Sequence, residues 1–599
     1  MTNNQRRSRI IGSKKHPYGR LKLQNFKAFG DEVSIDLRPI TLVFGANSSG
    51  KSSILHALIY LHHMNRQQDT SRIHDITYTE NGGSLIDLGG YPHYIFQHNA
   101  KNTLRISLDF LEKINLGTND KSDFKETQTF TMTLTGQNTV ANMKRDAILT
   151  RQIESNSHLL LKKEENVNKP EREPTGTPSL LTLEVNPQHP LVHEALMQCQ
   201  KSLIDLFWEF SNAYSAISND VKQDLRKQLD KILGDSNEEK VFLDLFHSQK
   251  RRNSLPFMFD KSVFSPMDIR IYFDKFSEQF FNDYFEHLIQ FSGLSATNFD
   301  DDFAKSLIQQ IGGRSSTNLL MEILNSITDK LIEYSRNFEF FLSSLMYLGP
   351  IRTIPSRLFN EYNDSQTHMS DGSRAWHRLA GDKRLVERLN TVLTQLEISY
   401  ALRVHNPADM LQIHSEQLSH LVKTLQDTKT TQKGKSAAVS DLLTNARSKS
   451  GSPYIELVEC KTLLQVSHRD VGIGISQVLP ILASCYGDRS STICIEQPEL
   501  HLHPRLQGNL ADVFIETSIG SKQNNTYIIE THSEHIIRRL MRRVREGKIS
   551  KDDISIVYVE SGPNGSTVTP IRMDDDGDLI DEWPNGFFEE GFRDDMAGR

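Results

Sequence analysis

The strongest constraint on this chain is a single octapeptide. Gly45-Ala46-Asn47-Ser48-Ser49-Gly50-Lys51-Ser52 fits the pattern GxxxxGK[ST], with the apolar run Ile40, Leu42, Val43 and Phe44 before it and a helical stretch, Ser53 to His62, after it. A strand before and a helix after is the context a phosphate-binding loop requires. Its glycines let backbone N–H groups turn toward phosphate, and the amino end of the helix adds partial positive charge. The pattern predicts Lys51 on the terminal phosphates of a nucleotide and the Ser52 hydroxyl on Mg2+, with Ser53 beside them.

The other half of such a site lies more than 400 residues further on. Ser491-Thr492-Ile493-Cys494-Ile495 reads as a short buried strand ending in Glu496-Gln497-Pro498-Glu499. A carboxylate at the end of an apolar strand is where a P-loop enzyme holds its Mg2+, and Glu496 fits. A second apolar strand, Tyr527-Ile528-Ile529, ends in Glu530-Thr531-His532-Ser533, which makes His532 the candidate for the γ-phosphate.

Between these halves the chain changes character. Residues 1–19 are basic and polar, with Arg6, Arg7, Arg9, Lys14 and Lys15, and lack the apolar core of a signal peptide. Residues 20–112 read as the first part of an α/β head. A polar stretch and then Phe- and Leu-rich helical patterns (Leu203, Leu206, Phe207, Phe210; Phe276, Phe280, Phe281, Tyr284, Phe285) make 113–345 a mostly helical insertion. Residues 346–426 read as a helical return to the head, 427–452 as a polar linker, 453–573 as the second part of the head and 574–599 as a tail. The insertion lacks sustained heptads, so it is no long coiled-coil arm.

The motifs resemble those of ABC-type ATPases of the RecF, SMC and overcoming-lysogenization-defect group. Leu21-Lys22-Leu23-Gln24-Asn25-Phe26-Lys27-Ala28-Phe29 is similar to that group's first strand and turn, and Ile495 through Pro504 to its Walker B and D-loop segment. Asp470-Val471-Gly472-Ile473-Gly474-Ile475-Ser476-Gln477-Val478-Leu479-Pro480 resembles the variant ABC signature of bacterial defence ATPases. With Tyr347 to Arg352 and Trp583 to Phe588, the nearest likeness is to the PtuA-like ATPases of Septu and retron-associated anti-phage systems. The resemblance implies a split ABC-type head, a mixed sheet flanked by helices, interrupted by a helical domain. It implies ATP and Mg2+ as ligands. It also implies a homodimer or higher oligomer in which each P-loop faces a partner's signature segment, with Gly474, Ser476 and Gln477 near the phosphates. A separately encoded effector, such as an HNH nuclease, is the implied partner.

One position departs from the group. ABC heads carry a glutamate after the Mg2+-binding carboxylate, and here Gln497 stands there. An amide orients water but takes no proton, and loss of a general base costs on the order of 10²- to 10⁴-fold in rate. Glu499 is the alternative base, acting through a bound water. Slow hydrolysis is therefore expected, with ATP occupancy setting the protein's state.

A repair or recombination ATPase acting directly on DNA is the competing reading. Its best feature is the run Arg538, Arg539, Arg542, Arg543, Arg545, which forms two adjacent stripes on a helix. The bland account is a solvated face or pairing with acidic neighbours. A built-in Toprim nuclease is not expected, because Glu560 and Asp574-Asp575-Asp576-Gly577-Asp578 lie too close together and read as a polar turn. The net charge of −7 announces no nucleic-acid binder. Cys199, Cys460, Cys485 and Cys494 show no CxxC spacing, so a reduced, cytoplasmic protein without a zinc site is expected.

Overall fold

The computed structural model describes residues 18–66, 86–99, 101–113, 340–353, 370–405, 454–467, 469–519 and 521–588, the strands between 125 and 185, and parts of 193–241 and 422–436. At its centre is a six-stranded sheet in the order β16-β15-β3-β14-β13-β9. The strands are β3 (Ile40–Gly45), β9 (Leu345–Leu348), β13 (Thr492–Glu496), β14 (Thr526–Glu530), β15 (Ile554–Glu560) and β16 (Thr567–Pro570). All neighbours run parallel except the edge strand β16. Every residue of β3, β9, β13 and β14 is buried. That is why these strands read as unbroken apolar runs: a parallel sheet covered on both faces has no polar side.

Helices close both faces. They are α1 (Lys51–Arg66), α3 (Ser373–Gly381), α4 (Lys383–Gln395), α5 (Ile473–Gly487), α6 (Pro504–Ser518) and α7 (Glu534–Arg545), while α2 (Asn219–Ile232) belongs to the insertion. Helix α5 is buried continuously from Ser476 to Tyr486, and Trp376, Leu389, Leu510 and Leu540 from four other helices join its core. A short antiparallel sheet of β10 (Tyr400–His405), β11 (Tyr454–Glu459) and β12 (Gln465–Ser467) brings the chain to the amino end of α5.

The insertion corrects an expectation. Where a polar stretch was expected, the described residues form strands: β5 (Lys125–Gln137), β6 (Asp146–Ser155), β7 (His158–Asn166) and β8 (Leu181–Val185) extend the sheet begun by β1 (Tyr18–Gln24), β2 (Val33–Asp36) and β4 (Thr103–Lys113). The result is a seven-stranded antiparallel sheet in the order β2-β1-β4-β5-β6-β7-β8. Phe130, Met132 and Leu134 of β5 are buried and alternate in sequence with threonines, the period of a strand, with Thr131 buried on the other face against Ser107. The Phe-rich patterns around Leu203 and Phe276, and most of the expected linker 427–452, lie outside the described residues. Among the described residues no helix is long and apolar enough to cross a membrane.

Candidate nucleotide site

The loop after β3 is held by what surrounds it. Gly45 has φ 148°, and a Cβ there would stand 2.2 Å from the Val559 carbonyl oxygen; Gly50 has φ 97°, and its Cβ would meet the Ala28 Cβ at 2.5 Å. Only glycine fits either position. Ala46, Asn47 and Ser48 form the exposed rim of the loop, while Ser49 and Ser53 are buried beneath it. Lys51 is buried and donates from Nζ to the Ala46 carbonyl at 2.7 Å and the Gly45 carbonyl at 3.2 Å. Burial pulls its ammonium below the ordinary lysine range, against the pull of Glu530, Glu499 and Glu496.

Parallel register sets the carboxylates. Glu496 ends β13 directly opposite Glu530 at the end of β14, and Glu530 is in turn opposite Val43 of β3. The Glu496 Oε1 accepts from the Tyr347 hydroxyl at 2.8 Å and lies 3.2 Å from His56 Nε2. His56 Nδ1 in turn lies 2.7 Å from the Lys27 ammonium. An ammonium only donates, so the neutral His56 tautomer that fits carries its proton on Nε2, toward Glu496.

Ser52 was expected on Mg2+; its hydroxyl donates to Glu530 Oε2 at 2.6 Å. Burial first, and the facing Glu496 second, push the Glu530 carboxyl up to about 7, with Ser52 and Lys51 opposing. Glu530 is thus a functional candidate that sequence reasoning passed over. Its one signal was its place at the end of an apolar strand, where His532 drew the attention. Two carboxylates and a hydroxyl at one strand edge fit Mg2+, which takes one or two carboxylates alongside phosphate oxygens. Among the described residues no group of three or more His, Cys, Asp and Glu makes a self-contained metal site.

Gln497 turns the chain away from the sheet at φ 42°, and its N–H donates to the Glu530 carbonyl at 2.8 Å. Both carboxylate oxygens of Glu499 are engaged: Oε2 accepts from the Thr531 hydroxyl at 2.8 Å and Oε1 from the His532 N–H at 2.7 Å. Glu499 therefore clamps the ends of β13 and β14 together, the direction that sequence left open. The His532 Nε2 is buried with no partner among the described residues. Burial and Lys51 lower its basicity, so the ring is neutral near pH 7.

The signature residues are held by contacts within this chain. Ser476 and Gln477, expected near a partner's phosphates, are buried inside this chain. Gln477 instead bonds the Arg352 backbone twice, donating to its carbonyl at 2.7 Å and accepting from its N–H at 3.1 Å. The glycine at 474 is required by this chain itself, because a Cβ there would stand 2.5 Å from the His501 carbonyl. Arg352 was also missed as a site residue: it is 2 % exposed and donates to the Glu496 carbonyl at 2.8 Å, while its Nε and Nη1 find no partner among the described residues. It joins the Glu496 strand to the signature helix.

The arginine run is spent on neighbours. Arg539 and Arg543 both grip Asp512 of α6, Arg542 and Arg543 grip Glu546, Arg538 pairs with Glu534 and Arg545 with Asp578. Asp574 to Asp578 close a turn, with the Asp574 carboxylate accepting from the N–H groups of Asp576 and Asp578.

No curated protein matches the sequence. The family described as AAA ATPase domain matches residues 19–537, and one described as a protein of unknown function (DUF3696) matches residues 549–596. Among solved structures, the Smc head domain of Pyrococcus furiosus bound to the C-terminal domain of ScpA aligns at 11% identity over 93% of this chain and 97% of that one, with a TM-score of 0.32. The SMC head domain of Thermotoga maritima aligns at 9% identity over 93% and 100%, with a TM-score of 0.30. The family match spans the phosphate loop, both carboxylate-bearing strands and His532, so the chain belongs to the AAA ATPase domain family of P-loop proteins.

Proposed function

We propose that the chain is an ATP- and Mg2+-binding ABC-type switch that hydrolyses slowly, joins copies of itself around ATP, and controls a separately encoded effector, a nuclease, in bacterial anti-phage defence. In this reading Lys51 and the loop from Gly45 to Ser52 hold the phosphates, and Ser52, Glu496 and Glu530 hold Mg2+, which neutralises phosphate charge. His532 faces the γ-phosphate.

The observation that carries the slow switch is the pair Gln497 and Glu499. The first has no proton-accepting side chain, and the second has both oxygens bound to Thr531 and His532. Assembly draws support from Ile351 at 81 % exposure, next to the Arg352–Gln477 pair, and Ile473 at 49 %, at the start of α5. The defence role draws on the resemblance of the signature and Walker B segments. Direct action on DNA has weaker support, because each arginine of the run has an acidic partner.

The test is steady-state ATP hydrolysis by the purified protein, with Lys51→Ala as control and Gln497→Glu as the restored base. Turnover near the control's background, raised on the order of 10²-fold or more by Gln497→Glu, is the expected result. Robust wild-type turnover lost in Lys51→Ala would sink the slow switch. Phage resistance conferred by the chain with its neighbouring genes, and lost in Lys51→Ala, tests the effector role.

A further inference from the structure

Three contacts carry the segment that matches a family of unknown function into the nucleotide site. Strand β15 runs in register with β3 from Ile554 opposite Ile40 to Val559 opposite Gly45, so it lies flush against the first glycine of the phosphate loop. Beyond it, Ser566 is buried, donates from Oγ to the Ser49 carbonyl at 2.6 Å, and donates from its N–H to the Ala28 carbonyl at 2.7 Å. Finally, Trp583 and Phe588 set their rings edge-on to Phe44, at 5.1 Å and 5.6 Å between centroids. Phe587 packs against Phe588 at 4.7 Å and lies 6.2 Å from the His532 ring, tilted by 33°.

The contacts with the phosphate loop and with His532 act on groups that meet nucleotide in the reading above. A trans peptide points its N–H opposite to its carbonyl. A hydrogen bond that fixes the Ser49 carbonyl toward Ser566 therefore fixes the Gly50 N–H away from it, and that N–H is one of the donors a phosphate loop turns toward its ligand. His532 has no hydrogen-bond partner at Nε2 among the described residues. Among the aromatic contacts of the described residues, the ring that braces it is Phe587.

We propose that this carboxy-terminal segment is part of the nucleotide site, with Ser566 a positioning residue for the phosphate loop and Phe587 a positioning residue for His532. The proposal rests on the ATP-binding reading. It divides the two residues by what they sense: Ser566 acts on the loop that any nucleoside di- or triphosphate occupies, whereas Phe587 acts on a histidine that only a γ-phosphate reaches.

The experiment is calorimetric titration of the full chain with Mg·ADP and with the Mg complex of the non-hydrolysable β,γ-imido analogue of ATP. Ser566→Ala is expected to weaken both ligands about three- to tenfold, the scale of one lost hydrogen bond, and Ser566→Thr to restore them. Phe587→Ala is expected to weaken the triphosphate analogue about threefold or more and leave ADP unchanged, because one braced ring contact has that scale. Phe587→Tyr keeps the wild-type ratio of the two constants, and Phe587→Leu gives a smaller loss of the same kind should the alanine variant not fold. A purely structural contribution would lower the melting temperature and leave that ratio untouched. Wild-type affinities in Ser566→Ala, or equal losses for both ligands in Phe587→Ala, would overturn the proposal while ATP binding itself stood. A wild-type protein that binds neither ligand would overturn the ATP-binding reading as well.

Discussion

Glu530 and Glu496 face each other across two parallel strands, and a like-charged pair of buried acids is costly unless something cationic lies between them. Glu530 bears the cost. Burial and the facing Glu496 push its carboxyl from the ordinary 4.5 up to about 7, so the fold favours its protonated form below that pH. The penalty for ionising it is small near pH 5 and complete above pH 7, where it is on the order of 3 kcal/mol. Glu530→Gln is therefore expected to raise the melting temperature of the metal- and nucleotide-free protein clearly at pH 8 and much less at pH 5. An equal rise at both pH values would exclude this account. Glu496 was legible in the sequence because a carboxylate follows an apolar run. Glu530 followed another such run, but only strand register sets the two opposite each other. His56, Tyr347 and Arg352, and Lys27 through His56, were illegible for a related reason: they reach Glu496 from distant segments, through contacts that only folding creates.

Helices α6 and α7 show how a charge pattern misleads when its partners lie elsewhere in the sequence. Asp512 sits between Arg539 and Arg543, and although burial pushes its carboxyl up, the two guanidinium groups outweigh that and hold it below the usual range. One acidic side chain thus serves two arginines that look, on a helical wheel, like a phosphate-binding stripe. Asp512→Ala takes the ion-pair partner from Arg539 and leaves Arg543 with Glu546 alone, and is expected to cost about 1–3 kcal/mol after allowance for solvent screening. Thermal unfolding reads that loss, and an unchanged melting temperature would show that the pairs contribute nothing. The insertion makes the converse point. Threonines at every second position of β5 carry the alternation of a strand, with Phe130, Met132 and Leu134 on one face. Composition hid that signal, since a stretch rich in Thr, Lys and Glu reads as polar loop when periodicity is not counted. The parallel core strands were easier, because burial on both faces leaves a continuous apolar run.

Across the whole molecule, the strand that carries the phosphate loop has no sequence neighbour beside it in its sheet. β3 lies between β14 and β15, both more than 450 residues downstream. The Walker-type halves were legible in the sequence, and β15 falls within the expected second part of the head, but its place beside β3 was not legible because only folding sets strand order, and the aromatic segment after it read as a tail. A chain ending at residue 548 removes β15, Ser566 and the cover over Phe44 together. Expressed in bacteria, it is expected to be insoluble or to lack a cooperative thermal transition, whereas a soluble, cooperatively melting product would show that the head closes without this edge.

The same topology has a consequence during translation. A ribosome making this protein releases the phosphate loop more than 450 residues before the two strands that flank it, and such long-range pairings form last. A prematurely terminated chain would then carry the loop sequence without a finished binding site. Incomplete copies would lack the strands that flank the loop on both sides, so the fold itself ties a finished phosphate loop to synthesis past β15.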